Sequence, residues 1–465
     1  MEFVALGDTE EIGASCLFLK INETGIVLDA GADPEEEGEA SLPDFDILKK
    51  KSGYYVDHAV ITHAHHDHMG SLPILIREFP HVVVHMTPVT RQFVEFLLPA
   101  SARLQRKKLR EGSSYAEPLF NEEEVEMQSH LYLTHELQES FTISGMHDSA
   151  EIRGKLFNAG HVLGAAGIEI TFEEDGKPRR LFYTSDTSIR PQHIIPGGEY
   201  PEGPVDVLLL ESTLGADPDA ELTTRKLEEE RLLKSMQRVL DRNGTILIPV
   251  FALGRAQEIL AVIDRFKSKN QIDPDIPVYT AGGMRAVADL YDKSRHTTPR
   301  IDPEFQVFGV SQKRLPRSNK ATREALSQPS IHVVSSGMMF ERTISNRLAQ
   351  ELVEDEKNGI FLVGYAKDDS PARLILEAAQ DGKGNEVVLD RMTGPQPINC
   401  DVERFRFSGH SHRRELLQIV ERLKPAKIIL VHGETEARTW MADNIRYYYP
   451  EAEIFLPQHG ETITL

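Results

Sequence analysis

Hydrophobic positions in the first half of the chain fall in short runs broken by turn residues, the pattern of strands buried on one or both faces. Residues 3–6, 16–20 and 26–28 predict three strands joined by glycine-containing turns, and 59–61 predicts a fourth. Residues 88–112 carry a helical period. Further strands are expected at 155–157, 167–172 and 181–183, the last two joined as a hairpin through Glu174-Asp175-Gly176-Lys177, and at 205–210. After residue 213 the pattern changes. Leu232, Leu233, Met236, Val239 and Leu240 predict a helix stopped by Asn243-Gly244, before a strand at 245–249 and a helix opening near Phe251-Ala252-Leu253-Gly254-Arg255. The alternation recurs at 278–280, 331–334 and 359–364, which reads as a parallel, Rossmann-like α/β domain inserted in the first fold. No G-x-G-x-x-G follows a first strand, so this is not a dinucleotide site. Near the end, Leu416, Leu417, Val420 and Leu423 predict a helix ended by Pro425, and 427–431 a strand. The expected division is 1–213, 214–400 and 401–465, the outer two parts forming one domain.

A chain of 465 residues exceeds one compact core. Its 40% hydrophobic and 27% charged content is that of an ordinary globular protein. No apolar run nears the ~20 residues that cross a bilayer, and the first residues lack a basic region followed by an apolar one. A cytoplasmic protein with no membrane partner is expected. Cys16 and Cys400 match no zinc-ribbon spacing and are expected as buried, reduced thiols. The net charge of −21 argues against polyanion binding by the whole surface and leaves local basic patches as candidates.

Chemistry concentrates at His63-Ala64-His65-His66-Asp67-His68, directly after an apolar strand. Residues two apart on extended backbone point the same way, so His63 and His65 can grip one ion, while a turn at Asp67-His68 offers an oxygen and a nitrogen to a second. Gly70 is expected to let the chain turn away. Imidazoles with a few carboxylates suit zinc, with manganese or iron as substitutes. A loop of merely titrating histidines is the alternative, and the H-x-H-x-D-H pattern is far more specific than that. Asp29, before Ala30-Gly31, and Asp186, in Thr184-Ser185-Asp186, stand at strand ends; a carboxylate such as Asp186 can bridge two ions ~3.5–4 Å apart. Glu211-Ser212-Thr213, Ser408-Gly409-His410 and His432-Gly433 place three more titratable residues at strand or loop ends.

Together these motifs resemble the β-CASP group of metallo-β-lactamase-fold nucleases, and the resemblance covers nearly the full chain. It implies an αββα metallo-β-lactamase sandwich with an inserted Rossmann-like β-CASP domain, and an active site in the cleft between them. It implies two Zn2+ per chain, with Mn2+ as substitute: one held by His63, His65, His161 and Asp186, the other by Asp67, His68, Asp186 and His432. His161 is identified through its Gly-His-x-x-Gly-Ala-Ala run. Asp29 would orient the metal loop by hydrogen bonds. His410, bonded to Glu211, would donate a proton to the leaving oxygen, while the ions acidify a water and neutralise phosphate oxygens. Single-stranded RNA is the implied partner, because His432 stands where DNA-processing relatives tend to carry valine; a homodimer is the assembly considered.

The sequence departs from the family pattern at Leu214, at Ser411-His412 and at Met339-Phe340-Glu341-Arg342, positions that bear on substrate more than on metal. A small-substrate metallohydrolase, a DNA nuclease of the same family and an inactive scaffold are the competing classes. The inserted domain argues against the first, and the full ligand set against the last. Two basic stretches bear on nucleic-acid binding. Arg91, Arg103, Arg106, Lys107, Lys108 and Arg110, set against Glu95 and Glu111 in the 88–112 helix, read as a solvated face. Between 305 and 323 there are Lys313, Arg314, Arg317, Lys320 and Arg323 and no acid. Arg255, Ser336, Gly337, Lys313, Arg314 and Arg317 are the expected substrate contacts.

Overall fold

The computed structural model describes all residues except 8–10, 148–149, 368 and 381. The chain divides into two units, one made of residues 1–191, 197–221 and 410–465, the other of 192–196 and 222–409. The expected boundaries at 213 and 400 each fall short of the observed ones. The strand Asp401–Arg404 pairs in parallel with Gly359–Leu362, so the chain leaves the second unit only after Gly409. The excursion at 192–196 was not foreseen. Glu258 holds it by accepting the backbone N–H groups of His193 and Ile194.

The first unit is built on two seven-stranded sheets. One contains Glu2–Ala5, Leu17–Ile21, Thr24–Leu28, His58–Val60, Val83–Met86, Tyr132–Thr134 and Thr462–Thr464. The other is ordered Glu453–Phe455, Lys427–Val431, Val207–Glu211, Lys177–Tyr183, Ala166–Glu174, Arg153–Asn158, Ser140–Thr142. Alternate residues of both sheets, among them Phe3, Leu19, Leu28, Leu156, Ile168, Leu181, Leu209 and Ile429, form one buried cluster between them. Each such side chain contributes ~1.5–3 kcal/mol on full burial. The opposite face of the second sheet, with Phe182, Leu208, Leu210 and Leu430, is covered by helices Arg413–Leu423 and Thr435–Tyr448 through Leu416, Val420, Leu423, Met441 and Ile445. Helix Pro88–Arg110 lies against the strand Tyr132–Thr134 of the first sheet. This is the expected αββα sandwich.

The second unit has a six-stranded, all-parallel sheet, ordered Lys313–Arg314, Val278–Thr280, Ser330–Val334, Thr245–Pro249, Gly359–Leu362, Asp401–Arg404. Its crossover helices include Arg255–Ser268, Met284–Lys293, Asn319–Leu326, Ile344–Leu352 and Pro371–Gln380. Strands such as Thr245–Pro249 and Ser330–Val334 are buried throughout, as a sheet covered on both faces requires. Both cysteines are buried and unbridged. Among the described residues no helix is long and apolar enough to cross a membrane.

Candidate metal centre

Strand direction gathers the titratable residues of the sandwich unit. Val207–Glu211 runs parallel to Lys177–Tyr183 and to Lys427–Val431, and Arg153–Asn158 shares their direction because both it and Lys177–Tyr183 are antiparallel to Ala166–Glu174. All four strands therefore end at one edge, and the residues that follow or close them are His161, Asp186, Glu211 and His432. In the facing sheet the parallel pair Thr24–Leu28 and His58–Val60 delivers Asp29 and His63.

The H-x-H-x-D-H segment is extended through His65 and then coils into one helical turn, His66–Met69, where a simple turn was expected. Backbone N–H groups of Ser15, Ala30 and Ala32 donate to the carbonyls of Asp67, His68 and His66, tying that turn to the loop after Asp29. The contact is close: a Cβ at Gly31 would stand 1.8 Å from the Asp67 carbonyl oxygen. Gly70 stands at the turn that ends this segment and also serves the same need. Its backbone is right-handed helical, with φ −64°, and a Cβ there would meet the His66 ring at 2.7 Å.

Three imidazoles converge. His63 Nε2 lies 3.2 Å from His65 Nδ1, which lies 3.1 Å from His161 Nε2. Asp186 Oδ2 closes the group at 3.7 Å from His63 Nε2 and 3.6 Å from His161 Nε2. Beside it, His68 Nε2 and His432 Nε2 stand 3.3 Å apart, with Asp67 Oδ2 at 3.8 and 3.5 Å from them and Asp186 Oδ2 at 3.4 Å from His68. Four ligands set tetrahedrally ~2.1 Å from an ion are ~3.4 Å apart, so both groups have the spacing of a coordination shell. Asp186 Oδ1 adds a second sign. It is buried, 3.0 Å from His432 Nδ1 but off the hydrogen-bonding direction, and has no hydrogen-bond partner among the described residues.

A further layer fixes the rings. His68 Nδ1 donates to Asp29 Oδ2 at 2.9 Å, and the same carboxylate accepts from the Thr62 N–H and hydroxyl and from the Tyr183 hydroxyl. Asp29 and His432 both adopt left-handed backbone, φ 62° and 51°, which turns their side chains back at the sheet edge. Thr213 Oγ1 sits 3.1 Å from His432 Nδ1, and Ser185 Oγ donates to Thr62 Oγ1 at 2.7 Å. Sequence reading missed Thr62, Tyr183, Ser185 and Thr213; the only signal was that three of them adjoin, or closely precede, a predicted ligand or strand-end acid.

Electrostatics divide the cluster. Burial, reinforced by the neighbouring His68, lowers the pKa of His63 well below the ordinary imidazole value. Burial opposes charge on His68 too, yet Asp186, Asp29 and Asp67 hold it well above that value. Burial works against ionising Asp67 and Asp186, and the surrounding imidazoles outweigh it, so both carboxyls are lowered.

At the rim, His410 Nδ1 is 2.9 Å from Glu211 Oε2, and the His410 ring packs 4.5 Å from that of His161. Glu211 is fully buried and also accepts from the Thr187 N–H. Burial disfavours the imidazolium, but Glu211 and then Asp186 raise His410 to about 9. Leu214 and His412, two of the departures from the family pattern, meet each other in an isolated parallel bridge.

The structure thus brings together Asp29, His63, His65, Asp67, His68, His161, Asp186, Glu211, His410 and His432. The expected substrate contacts lie in the parallel unit. Arg255 opens a helix, and Ser336 and Gly337 follow the strand Ser330–Val334, with Ser336 Oγ buried and unpartnered among the described residues. Lys313 and Arg314 form the exposed edge strand and Arg317 is exposed beyond it.

Comparisons agree with this architecture. Three family profiles match in chain order: "Metallo-beta-lactamase superfamily" at residues 10–176, "Beta-Casp domain" at 256–375 and "Zn-dependent metallo-hydrolase RNA specificity domain" at 395–457. The chain is 30% identical to the transcription termination factor FttA of Methanocaldococcus jannaschii, over 98% of this chain and 70% of that one. It is 29% identical to endoribonuclease ysh-1 of Neurospora crassa, over 93% of this chain and 52% of that one. It is 26% identical to cleavage and polyadenylation specificity factor subunit 3 of Dictyostelium discoideum, over 100% and 57%. The chain therefore spans little more than half the length of the two eukaryotic relatives. A crystal structure of a protein of unknown function from Enterococcus faecalis shares the fold, with TM-score 0.56 and 15% identity over 100% of this chain and 99% of that one. Two sheets ending in one ligand-rich edge, a parallel domain inserted in the chain between Glu221 and His410, and these matches together establish that the chain belongs to the β-CASP family of metallo-β-lactamase-fold proteins.

Proposed function

We propose that the chain is a two-metal phosphodiesterase that cleaves single-stranded RNA. The observation that carries this reading is the Glu211–His410 pair, 2.9 Å across, beside two convergent ligand groups. Metal ligands alone suit many hydrolases; a carboxylate-held imidazolium is what expulsion of a sugar alkoxide additionally needs.

His63, His65, His161 and Asp186 would hold one divalent ion, and Asp67, His68 and His432, with Asp186 shared, the other. The nitrogen-rich donor set favours zinc, with manganese as substitute. When bound, such a pair supplies an acidified water as nucleophile and neutralises the non-bridging phosphate oxygens. The protein's own groups do the rest. Asp29 fixes the His68 tautomer by taking its Nδ1 proton in a hydrogen bond, which turns Nε2 to the ligand group. Glu211 engages His410 through Nδ1 and favours its charged form, so that Nε2 is the nitrogen that hands a proton to the leaving oxygen. Lys313, Arg314 and Arg317, none paired with an acid among the described residues, are suited to a phosphate backbone, with Arg255, Ser336 and Gly337 as further contacts. Likeness to an endoribonuclease and to a cleavage and polyadenylation specificity factor subunit supports RNA as the substrate.

The test is digestion of matched linear RNA, circular RNA and single-stranded DNA by zinc-loaded protein. Cleavage of RNA over DNA is expected, and cleavage of the circle marks endonucleolytic action. DNA cut as fast as RNA, or neither cut, overturns the reading.

A further inference from the structure

His410 and Ser411 stand ahead of the helix Arg413–Leu423, outside any helix or strand, so the place of the imidazole is set by tertiary contacts. Ser411 supplies two of them, both to the loop that follows Asp186. Its backbone N–H donates to the Thr187 carbonyl at 2.7 Å, and its hydroxyl oxygen accepts the Ile189 N–H at 2.8 Å. Thr187 turns its own backbone N–H to the acid, donating to Glu211 Oε1 at 2.5 Å, while Glu211 Oε2 meets His410 Nδ1 at 2.9 Å. Glu211, Thr187, Ser411 and His410 therefore close a ring of contacts, and the first three are wholly buried.

The loop is anchored from beneath. Thr187 Oγ1 donates to the Ala159 carbonyl at 2.9 Å and, with its one proton spent, accepts from the Tyr200 hydroxyl at 2.7 Å. The Ser188 N–H reaches the same carbonyl at 2.9 Å. Ala159 stands two residues before His161, and Thr187 is next to Asp186. One loop thus carries the carboxylate shared by the two ligand groups, grips the acid that pairs with His410, and tethers the backbone beside His410. A bond to Nδ1 alone leaves the imidazole free to swing about that bond, and the tether at Ser411 removes this freedom. Placement matters for a proton transfer, because displacing a catalytic group by ~1 Å can cost on the order of 100-fold in rate.

We propose that Ser411 and Thr187 are positioning residues for the proton donor: the clasp between them sets where His410 stands relative to Asp186, and with it the rate at which the leaving oxygen is protonated. The assignment rests on the phosphodiesterase activity proposed above. Tyr200 supports it from behind Thr187.

The experiment compares the zinc-loaded full chain with Ser411→Ala, Thr187→Val and Tyr200→Phe, which remove hydroxyl groups at little cost in volume. In Ser411→Ala and Thr187→Val, kcat for RNA is expected to fall about 10- to 100-fold with KM little changed. A nitrophenyl phosphodiester, whose leaving group needs no proton, is expected to lose much less, and metal content to stay at the wild-type value. Tyr200→Phe is expected to show a smaller loss of the same kind, and Thr187→Ser, which keeps the hydroxyl, to recover most of the rate. Equal losses on the two substrates, metal loss in step with activity, or undiminished RNA cleavage overturns the proposal. A second readout needs no RNA: the proton signal of the His410 Nδ1–H in protein with isotope-labelled histidines, identified by its absence from His410→Gln. Solvent exchange is expected to broaden it in Ser411→Ala and Thr187→Val but not in Thr187→Ser. If wild type cleaves no RNA, the activity proposed above fails and this signal decides alone, an unbroadened signal in both variants overturning the positioning role.

Discussion

In the sandwich unit His58, His85 and His135 stand in file: His58 Nε2 donates to the Ser144 carbonyl at 3.2 Å, and 2.9 Å contacts link His58 Nδ1 to His85 Nε2 and His85 Nδ1 to His135 Nε2. The metal-site histidines instead point their nitrogens at common centres. The file has one consistent proton order. His58 gives its proton to Ser144, so it accepts from His85, which accepts from His135. Among the described residues no carboxylate hydrogen-bonds to any of the three. Burial accordingly pushes all three pKa values down, His85 to about 3, its two neighbours adding to the effect. His68 is as deeply buried and moves the opposite way because three carboxylates face it. Close-packed imidazoles therefore do not by themselves make a metal site. Convergence and interleaved acids do, because they leave nitrogen lone pairs and negative charge that only a cation satisfies.

The sharpest test of that contrast is Asp67→Ala. It is expected to remove one ion from a content of two per chain and to slow RNA cleavage about 1,000-fold or more, several kcal/mol of lost charge stabilisation. His85→Phe, in the other histidine group, is expected to leave metal content at two. Metal analysis of both proteins checks this, and an unchanged ion count in Asp67→Ala breaks the comparison.

Glu211→Gln keeps the shape of the acid and removes its charge. Loss of general-acid assistance costs about 100- to 10,000-fold in kcat. A substrate whose leaving group needs no proton, such as a nitrophenyl phosphodiester, is expected to be cleaved with a much smaller loss. Equal losses on both substrates would place Glu211 in the support of the metal group and not in proton delivery.

Asp29→Asn weakens the hold on His68 without removing a ligand, and a 10- to 100-fold loss of metal affinity is expected. Titration with a chelator at fixed pH measures it. Because His68 must give up a proton to ligate, affinity is expected to fall as pH is lowered, in wild type and variant alike.

The smallest effect belongs to the histidine file. His85 is unprotonated when folded down to about 3, whereas the unfolded imidazole titrates near ~6.5. The unfolded state therefore binds more protons between these values. The file's contribution to stability is complete above ~6.5 and is lost as pH falls toward the folded pKa, by up to ~1.4 kcal/mol per pH unit for each such group. Denaturant melts of wild type and His85→Phe between pH 7 and 4 check this: the variant is expected to be less stable at neutral pH but to show a shallower acid slope. Parallel slopes would mean that the file does not stay neutral in the folded protein.

Much of the site was legible in the chain because it is a matter of strand ends. Apolar runs and the turn residues after them place His63, His161, Asp186, Glu211 and His432 each at the close of a strand, and the helical and strand periods mark where one domain is inserted in the other. Local periodicity also located most strands to within a residue or two, and 245–249, 278–280 and 427–431 without error. What the chain could not express is which strands run side by side and in which direction. That brings Thr62, Tyr183, Ser185 and Thr213 behind the ligands, aligns His58, His85 and His135 across neighbouring strands, and keeps Asp401–Arg404 in the parallel sheet. Charge tells the same story. The basic residues of helix Pro88–Arg110 and those near Lys313 look alike in sequence, but Arg91, Arg106, Lys107 and Lys108 meet Glu95, Glu122, Glu111 and Glu37, while Lys313, Arg314 and Arg317 meet no acid among the described residues. The partners of Arg91 and Lys107 lie one helical turn away and are legible in the chain, but those of Arg106 and Lys108 lie 16 and 71 residues away and only a few ångströms away in space, so there a linear reading sees the charge and only the tertiary structure supplies its partner.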